Sequence, residues 1–224
     1  LRAFCCCRRP KTAHKQPVNR ASPLRIGILG SGKGSNMTAI ADALAPLSSV
    51  AQIVVVLSDV ADAGILARAR ERGLCAEHIA PGAFRTKLDE ESERAYVARL
   101  VEARVDLIVM AGFMRILKGD FLRAFAQRVI NIHPSLLPAF PGLEAWKQAL
   151  DYGVKVTGCT VHYVDQGIDS GPIIAQQTVP VLDADTPQSL HERIQTAEVV
   201  LYPAVVTAIA REKIIVKGRH TRWL

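Results

Sequence analysis

Ten residues, Val129-Ile-Asn-Ile-His-Pro-Ser-Leu-Leu-Pro138, bring together two polar side chains of complementary chemistry. Asn131 and His133 stand in an apolar run that ends abruptly at Pro134. The run predicts a short buried strand, on which residues two apart point the same way. A fixed amide donor beside a titratable imidazole suits chemistry at a carbonyl, where one group holds the oxygen and the other moves a proton. A competing interpretation is that both side chains only satisfy loop backbone.

The elements that would position this pair alternate between short apolar strands and helices. Continuous apolar strands separated by helices of about ten or more residues are typical of parallel β-α-β units covered on both faces. The predicted strands of this kind are Arg25–Leu29, Ile53–Leu57, Cys75–Ile79, Asp106–Met110 and the strand that carries Asn131. The predicted helices are one through Met37, Ile40 and Leu44, followed by Ala61–Gly73, Lys87–Ala103 and Asp120–Ala126.

After residue 153 the pattern changes. Lys155–Val164 and Pro172–Val179 predict two strands of an antiparallel extension, and Ser189–Ala210 predicts a long final helix. We therefore predict one α/β domain over residues 24–212, with an open, mostly parallel, Rossmann-like sheet and helices on both faces. Such sheets bind ligands at the carboxyl ends of their strands. The polar clusters fall at these ends: Gly30–Asn36, Ser58-Asp59, Gly112–Arg115 and Asn131–Ser135.

The net charge of +7 does not indicate a nucleic-acid-binding face. Residues 1–23 hold six basic residues and no acidic one, and the remaining 22 basic residues nearly balance 21 acidic ones. We therefore expect no nucleic-acid partner. No apolar run approaches the roughly 20 residues that cross a bilayer, so no membrane partner is expected either.

The termini and the cysteines add expectations about processing and compartment. Residues 1–23 begin without Met and lack a periodic apolar face, so we predict a disordered basic extension: a targeting peptide, translated upstream sequence or a cloning remnant. Residues 213–224 are predicted to be a C-terminal tail. Five cysteines, an odd number without metal-ligand spacing, fit a reducing compartment such as the cytoplasm.

A glycine-rich loop, Gly30-Ser-Gly-Lys-Gly-Ser-Asn36, joins the first strand to the first helix. A helix amino terminus offers free N–H groups and a positive dipole end, so this loop predicts an anion site, best suited to a phosphate. Two nucleotide motifs fail, because Gly34 occupies the Ser/Thr position of a Walker A loop and Ser35 the third glycine position of the dinucleotide pattern. Asp59 could imitate the ribose-binding acid of a dehydrogenase. A turn without a ligand is the plainer alternative.

Two further loops carry weaker signals. The apolar loop Ala111–Leu117, with its single Arg115, could line a pocket for a flat, partly hydrophobic ligand, or could simply be packing. Acids in a loop such as Asp165–Pro172 usually form solvated turns. A carboxylate from that loop beside His133 would favour the charged imidazole and fix its tautomer, but the sequence alone does not place Asp169 there.

In their order along the chain, these motifs resemble those of the phosphoribosylglycinamide formyltransferases, which are folate-dependent enzymes of purine synthesis. The resemblance runs from about residue 24 to 212. The Asn-x-His-Pro-Ser motif is shared by the wider formyltransferase family, whereas the Ser-Gly-x-Gly-Ser-Asn loop is more specific. The segments that carry the resemblance are Ser31-Gly-Lys-Gly-Ser-Asn36, Met110-Ala-Gly-Phe-Met-Arg-Ile-Leu117, Asn131-Ile-His-Pro-Ser-Leu-Leu-Pro138, Pro141-Gly-Leu143 and Gly167-Ile-Asp-Ser-Gly-Pro172.

The resemblance implies a role for each matched residue. A catalytic trio is implied at Asn131, His133 and Asp169. Contacts to the substrate, glycinamide ribonucleotide (GAR), are implied at Gly34, Ser35, Asn36, Gln195, Thr196, Ala197 and Glu198. Contacts to the folate are implied at Lys87, Met114, Arg115, Ile116, Leu117, Asn131, Asp165, Gln166, Gly167, Ile168 and Asp169.

The implied reaction is direct formyl transfer from 10-formyltetrahydrofolate, the co-substrate, to the glycinamide amine of GAR. Asn131 and protonated His133 would stabilise the tetrahedral oxyanion, His133 would help to move a proton to the departing folate nitrogen, and Asp169 would hold His133. Neither a covalent enzyme intermediate nor a metal ion is needed. The implied partners are these two small molecules, acting on a monomer or a homodimer.

The chain departs from the family pattern in one place. Gly142-Leu-Glu-Ala-Trp146 stands where the family often has Gly-Leu-His-Thr-His. No catalytic role is attached to those histidines, so we expect a changed surface or pocket-rim helix, with altered local substrate contacts and an unaltered reaction.

Three alternatives remain at this point. A methionyl-tRNA formyltransferase would need an added RNA-binding domain, and little chain follows residue 212. A formyltetrahydrofolate hydrolase would carry a regulatory domain before the catalytic one, where only 23 residues stand, and would not need a ribonucleotide phosphate loop. A nucleotide-binding regulatory module would leave the coincidence of Asn131, His133 and Asp169 unexplained.

Overall fold

Seven strands build one mixed sheet in the computed structural model, which describes residues 22–224. They are β1 Leu24–Leu29, β2 Ala51–Ser58, β3 Ala76–His78, β4 Leu107–Met110, β5 Val129–His133, β6 Val156–Tyr163 and β7 Ile173–Pro180. Their order is β3-β2-β1-β4-β5-β6-β7. The first five strands pair in parallel, whereas β6 and β7 run antiparallel. The predicted α/β class with an antiparallel extension is confirmed.

The strand order places a switch point at the middle of the sheet. The chain adds β2 and β3 on one side of β1 and then returns to add β4 on the other side. Loops that leave β1 and β4 therefore diverge and open a crevice at the carboxyl edge, where ligands of such sheets bind.

Helices cover both faces of the sheet. They are α1 Ser35–Leu44, α2 Gly64–Glu71, α3 Glu90–Glu102, α4 Gly119–Ala124, α5 Ala145–Tyr152 and α6 Pro187–Ala210, and a 3₁₀ turn spans Ala45–Leu47. Buried side chains of α1, α2 and α6 form one core with the sheet, and those of α3 and α4 form the other. Neighbouring residues such as Ile28 and Leu29 face opposite cores, which explains why the strands are continuously apolar.

Helix α3 begins three residues later than the sequence predicts. The carboxylate of Asp89 accepts the backbone N–H of Ser92 at 2.9 Å and so caps the helix, which starts at Glu90. Lys87 lies outside the helix in a short parallel bridge with Ile116. The amphipathic pattern continues back to Lys87, and the pattern alone does not show that the Asp89 cap begins the helix at Glu90.

The C-terminal segment forms a hairpin that the sequence analysis described only as a tail. Its strands are β8 Ile214–Lys217 and β9 His220–Trp223. Thr221 Oγ1 donates to Ile173 O at 2.7 Å, and Trp223 Nε1 donates to Ile174 O at 3.1 Å. The hairpin thus packs on edge strand β7, whose backbone would otherwise be open to other chains. Strand β9 is largely polar and exposed, so no buried apolar run marks the second strand of this hairpin in the sequence.

Helix α6 is fastened to the centre of the sheet by one phenol. The buried hydroxyl of Tyr202 lies 3.0 Å from Met110 O and 3.1 Å from Ile130 O, so it links α6 to the ends of β4 and β5. None of the helices in the described part of the chain combines the length and the apolar character needed to span a bilayer.

Replacing Tyr202 with Phe should lower the free energy of unfolding by about 1–3 kcal/mol, because the single buried O–H that the carbonyl oxygens of Met110 and Ile130 share is lost. Urea denaturation measures the change. Tyr152→Phe is the matched control, since Tyr152 is 79% exposed, and it should match the parent to within about 0.5 kcal/mol. Equal midpoints for both variants would contradict the role given to the Tyr202 hydroxyl.

Candidate active site

One hydroxyl joins three of the predicted polar clusters at the carboxyl edge. Ser31 Oγ, after β1, donates to Asp59 Oδ1, after β2, at 2.5 Å. The same oxygen accepts the backbone N–H of Met114, after β4, at 2.9 Å. The three loops are therefore held in fixed relation to one another.

Asp59 is a structural counter-ion and not a ribose-binding acid. Its buried carboxylate accepts Arg115 Nε at 2.6 Å, and Arg115 Nη1 also donates to Phe84 O at 2.7 Å. The Asp59 oxygens are thus occupied by Ser31 and Arg115, which removes the dehydrogenase-like interpretation. The Arg115 guanidinium therefore ties its own loop, after β4, to the loops that follow β2 and β3.

The structure brings His133 and Asp169 together, as the sequence could not. His133 Nδ1 lies 3.3 Å from Asp169 Oδ2, and His133 Nε2 lies 2.8 Å from Phe140 O. The Asp169 oxygen also accepts the backbone N–H of Gly142 at 2.8 Å, which fixes its position. Both imidazole nitrogens therefore face oxygen acceptors.

A second buried histidine, which sequence reasoning missed, completes this cluster. In the β5–β6 pairing His162 lies directly opposite Asn131, and its Nε2 is 3.4 Å from Asn131 Nδ2 and 3.7 Å from Asp169 Oδ1. His162 Nδ1 is 2.8 Å from Tyr163 O, so it carries the proton and leaves Nε2 as an acceptor. Burial lowers the pKa of His162, which favours this neutral form. His162 thus orients the Asn131 amide.

The available signal for His162 was a single histidine within the strand Gly158-Cys-Thr-Val-His-Tyr163, which has no acid, lysine or arginine. That signal is weak when the register between β5 and β6 is unknown, because a lone buried histidine often does no more than form hydrogen bonds with backbone groups. The pairing of β6 with β5 is what gives it meaning.

The glycine-rich loop opens α1 as predicted. Gly34 is the residue before the helix, with φ of 84°, and a Cβ there would stand 2.7 Å from Ile65 Cα. Only glycine fits this left-handed, crowded position. The next residues, Ser35 and Asn36, lie in the first turn, where backbone N–H groups are free for an anion.

Asn36 connects the loop to α6. Its Nδ2 donates to Glu198 Oε2 at 2.9 Å, and its Oδ1 is buried without a partner among the described residues. Burial raises the pKa of Glu198 to about 7, and the hydrogen bond from Asn36 opposes that shift. The structure thus joins two of the predicted GAR contacts that are 162 positions apart in the chain.

The other predicted GAR contacts lie one turn before Glu198 or beside it on α6. Gln195 Nε2 is 3.2 Å from His191 Nε2. The hydroxyl of Thr196 donates to Glu192 O at 3.0 Å within the helix, and Ala197 packs partly against the core. Gln195 is exposed, and with its Nε2 facing His191 its side-chain oxygen is the group of this set placed to meet a ligand.

The predicted folate contacts form an apolar rim and a turn. Met114, Ile116 and Ile168 are exposed, whereas Leu117 is buried. Gln166 Oε1 accepts the N–H of Gly119 at 3.4 Å. Asp165 accepts Gly167 N and Ser170 Oγ, which makes it a turn former.

Lys87 is exposed beside this rim, with its ammonium 4.2 Å from the ring centroid of Phe84. The described residues hold no group of three or more His, Cys, Asp or Glu side chains arranged for a metal ion.

Comparisons with known proteins show the family to which the chain belongs. Residues 24–206 match the family described as Formyl transferase. A phosphoribosylglycinamide formyltransferase of Mycobacterium tuberculosis is 44% identical over 207 residues, covering 90% of this chain and 92% of the relative. The crystal structure of glycinamide ribonucleotide transformylase 1 from Symbiobacterium toebii has a TM-score of 0.86 and 46% identity, covering 92% of this chain and 96% of that one.

A formyltetrahydrofolate deformylase from Pseudomonas syringae shares the fold, with a TM-score of 0.83 and 24% identity over 91% of this chain and 67% of that one. The chain therefore belongs to the formyl transferase family, and within it to the phosphoribosylglycinamide formyltransferases.

Replacing Glu198 with Gln should stabilise the protein above neutral pH. The pKa of Glu198 is about 7 in the fold against an ordinary 4.5, so ionising it destabilises the fold, and stability falls as the pH rises between these values. Glu198→Gln keeps an acceptor for Asn36 without the charge. We expect the free energy of unfolding to rise by on the order of 1–3 kcal/mol near pH 8, and this gain to vanish below the ordinary Glu pKa of 4.5. Urea unfolding at a series of pH values measures it.

Glu192→Gln serves as the control, because Glu192 is exposed on the same helix. Its stability curve should run parallel to that of the parent. A stability gain in Glu198→Gln that does not change with pH would contradict the assignment to Glu198.

Proposed function

We propose that Asn131, His133 and Asp169 carry out a direct transfer of the formyl group from 10-formyltetrahydrofolate to the glycinamide amine of GAR. The phosphoribosylglycinamide formyltransferase activity itself follows from the family membership. What supports the residue roles is the 3.3 Å contact between His133 Nδ1 and Asp169 Oδ2, with Asn131 two residues away on the same strand.

The chemistry needs a place for an oxyanion and a movable proton. The GAR amine attacks the formyl carbon, a C–N bond forms, and the carbonyl electron pair moves to oxygen. One N–H of the Asn131 amide meets His162, which leaves the other for this oxyanion. A preorganised donor of this kind is typically worth about 3–4 kcal/mol of barrier.

Collapse of the intermediate breaks the bond between the formyl carbon and the folate nitrogen. Protonated His133 supplies the proton that this nitrogen takes up, leaving its contact with Phe140 O to do so. The attacking nitrogen gives up a proton in turn, so the imidazole finishes the cycle in the state in which it began. The Asp169 carboxylate stabilises the charged ring before the transfer.

The two ligands would approach from opposite sides of these residues. The substrate phosphate would lie at the N-terminus of α1 on Gly34, Ser35 and Asn36, and the rest of GAR would meet α6 at Gln195 to Glu198. The folate would lie against the apolar rim, where Met114 and Ile168 are exposed. Arg115 would support this pocket through its loop, because its guanidinium already binds Asp59.

Several further features stay proposals. We place the functional domain at residues 24–212, acting as a monomer or a homodimer, with no nucleic-acid or membrane partner. No proposed step requires a metal ion. The cysteine usage supports a cytoplasmic location.

Replacing His133 with Ala should lower kcat by roughly 10²–10⁴ while the protein stays folded, because the proton donor is lost. The assay follows formyl transfer from 10-formyltetrahydrofolate to GAR, with thermal unfolding as the check on folding. His78→Ala is the control, since His78 is exposed on β3, and its turnover should be that of the parent. Near-normal turnover of His133→Ala would refute the assigned role.

Asp169→Asn tests the charge of this side chain separately from its position. The amide can still accept from Gly142 but no longer stabilises an imidazolium, so kcat should fall by about 10–100-fold with KM for GAR little changed.

The products formed by the parent enzyme test the reaction itself. Release of formate without formation of formyl-GAR would indicate hydrolysis and would reject the proposed transfer.

A further inference from the structure

Two aromatic rings lie in face-to-face contact beside the proposed GAR subsite. Trp146 on α5 and His191 on α6 have ring centroids 3.6 Å apart and planes inclined by 3°. Trp146 is one of the three residues at which the chain departs from the family pattern, and its partner lies in the helix that carries Gln195 and Glu198. The departure therefore builds a contact between two helices.

The far edge of the stacked imidazole meets Gln195. His191 Nε2 lies 3.2 Å from Gln195 Nε2, one helical turn along α6. An amide nitrogen can only donate, so His191 Nε2 accepts and its proton resides on Nδ1. This arrangement requires a neutral ring.

The surroundings of His191 favour that neutral ring. Burial lowers the pKa of His191, and Lys33 in the glycine-rich loop lowers it further, whereas Glu192 opposes them. The face of the ring is covered by Trp146, which restricts its rotation. The acceptor is therefore held in one place and one protonation state.

We propose that Trp146 and His191 are positioning residues that fix the Gln195 amide so that its oxygen accepts a hydroxyl from the ribosyl part of the substrate. With its nitrogen bound by His191, the amide can rotate only by losing that bond. Its Oε1 then needs a donor, and GAR offers donors in its ribose hydroxyls and its glycinamide nitrogens, whereas the phosphate offers acceptors. The glycinamide end must reach Asn131 and His133, which leaves the ribose hydroxyls for Gln195. The inference rests on the proposed contact between Gln195 and GAR.

The test compares KM for GAR with KM for 10-formyltetrahydrofolate in four single variants and one double variant. His191→Phe keeps a flat ring for Trp146 but has no acceptor, so KM for GAR should rise roughly three- to tenfold, the worth of one hydrogen bond. KM for the folate should stay within about twofold, because that site does not involve α6. His191→Gln restores an acceptor and should recover part of the loss.

A double-mutant cycle separates positioning from general structure. If His191 acts through Gln195, then His191→Phe combined with Gln195→Ala should be no worse than Gln195→Ala alone. Additive effects, an unchanged KM for GAR in His191→Phe, or equal rises in both KM values would overturn the proposal.

Trp146→Ala is a second test of whether the Trp146–His191 stack positions Gln195. It removes the stack without touching the acceptor and should raise KM for GAR in the same direction, so it decides the matter if His191→Phe does not fold. An unchanged ratio of the two KM values in Trp146→Ala would then reject the proposal. If Gln195→Ala itself leaves KM for GAR unchanged, the Gln195 contact of the proposed function fails, and this inference fails with it.

Discussion

The register between β5 and β6 is the constraint on which the site depends. It sets Asn131 opposite His162 and His133 opposite Thr160. Since side chains alternate between faces, a shift of one residue would turn Asn131 and His133 away from His162 and Asp169. Because β6 runs antiparallel, the loop after it starts beside the first residues of β5, and this loop then folds back so that Asp169 meets His133.

Buried charge is managed differently in the two halves of the site. On the folate side Asp59 and Arg115 neutralise each other, and removing one partner of such a pair leaves an uncompensated buried charge. On the GAR side Glu198 is buried with the Asn36 amide as its partner, and burial without a compensating cation among the described residues raises its pKa. The first arrangement fixes loops, whereas the second keeps a buried carboxylate whose desolvation opposes folding and whose Oε2 accepts from Asn36.

Helix α6 links these parts. Tyr202 fastens it to the carbonyl groups of Met110 and Ile130, immediately before the polar residues of β5. Glu198 and Gln195 lie on the preceding turns, and His191 continues the series toward α5. One rigid helix therefore carries the proposed substrate contacts at a distance from Asn131 that is set by the sheet, which suits a reaction in which two bound molecules must meet.

Much of this protein was determined by its sequence. The apolar strands and intervening helices predicted the α/β class, and strand ends located Asn131, His133 and the glycine-rich loop, because these signals are local. Tertiary structure alone decided which distant residues meet. Asp169 had two interpretations in sequence, and His162 and the Trp146–His191 stack had none, because each depends on strand register or helix packing. Asp59 looked like a ligand-binding acid until Arg115, 56 residues away, proved to be its partner. Chain spacing sets what a strand or helix can present; only packing brings such side chains within hydrogen-bonding distance.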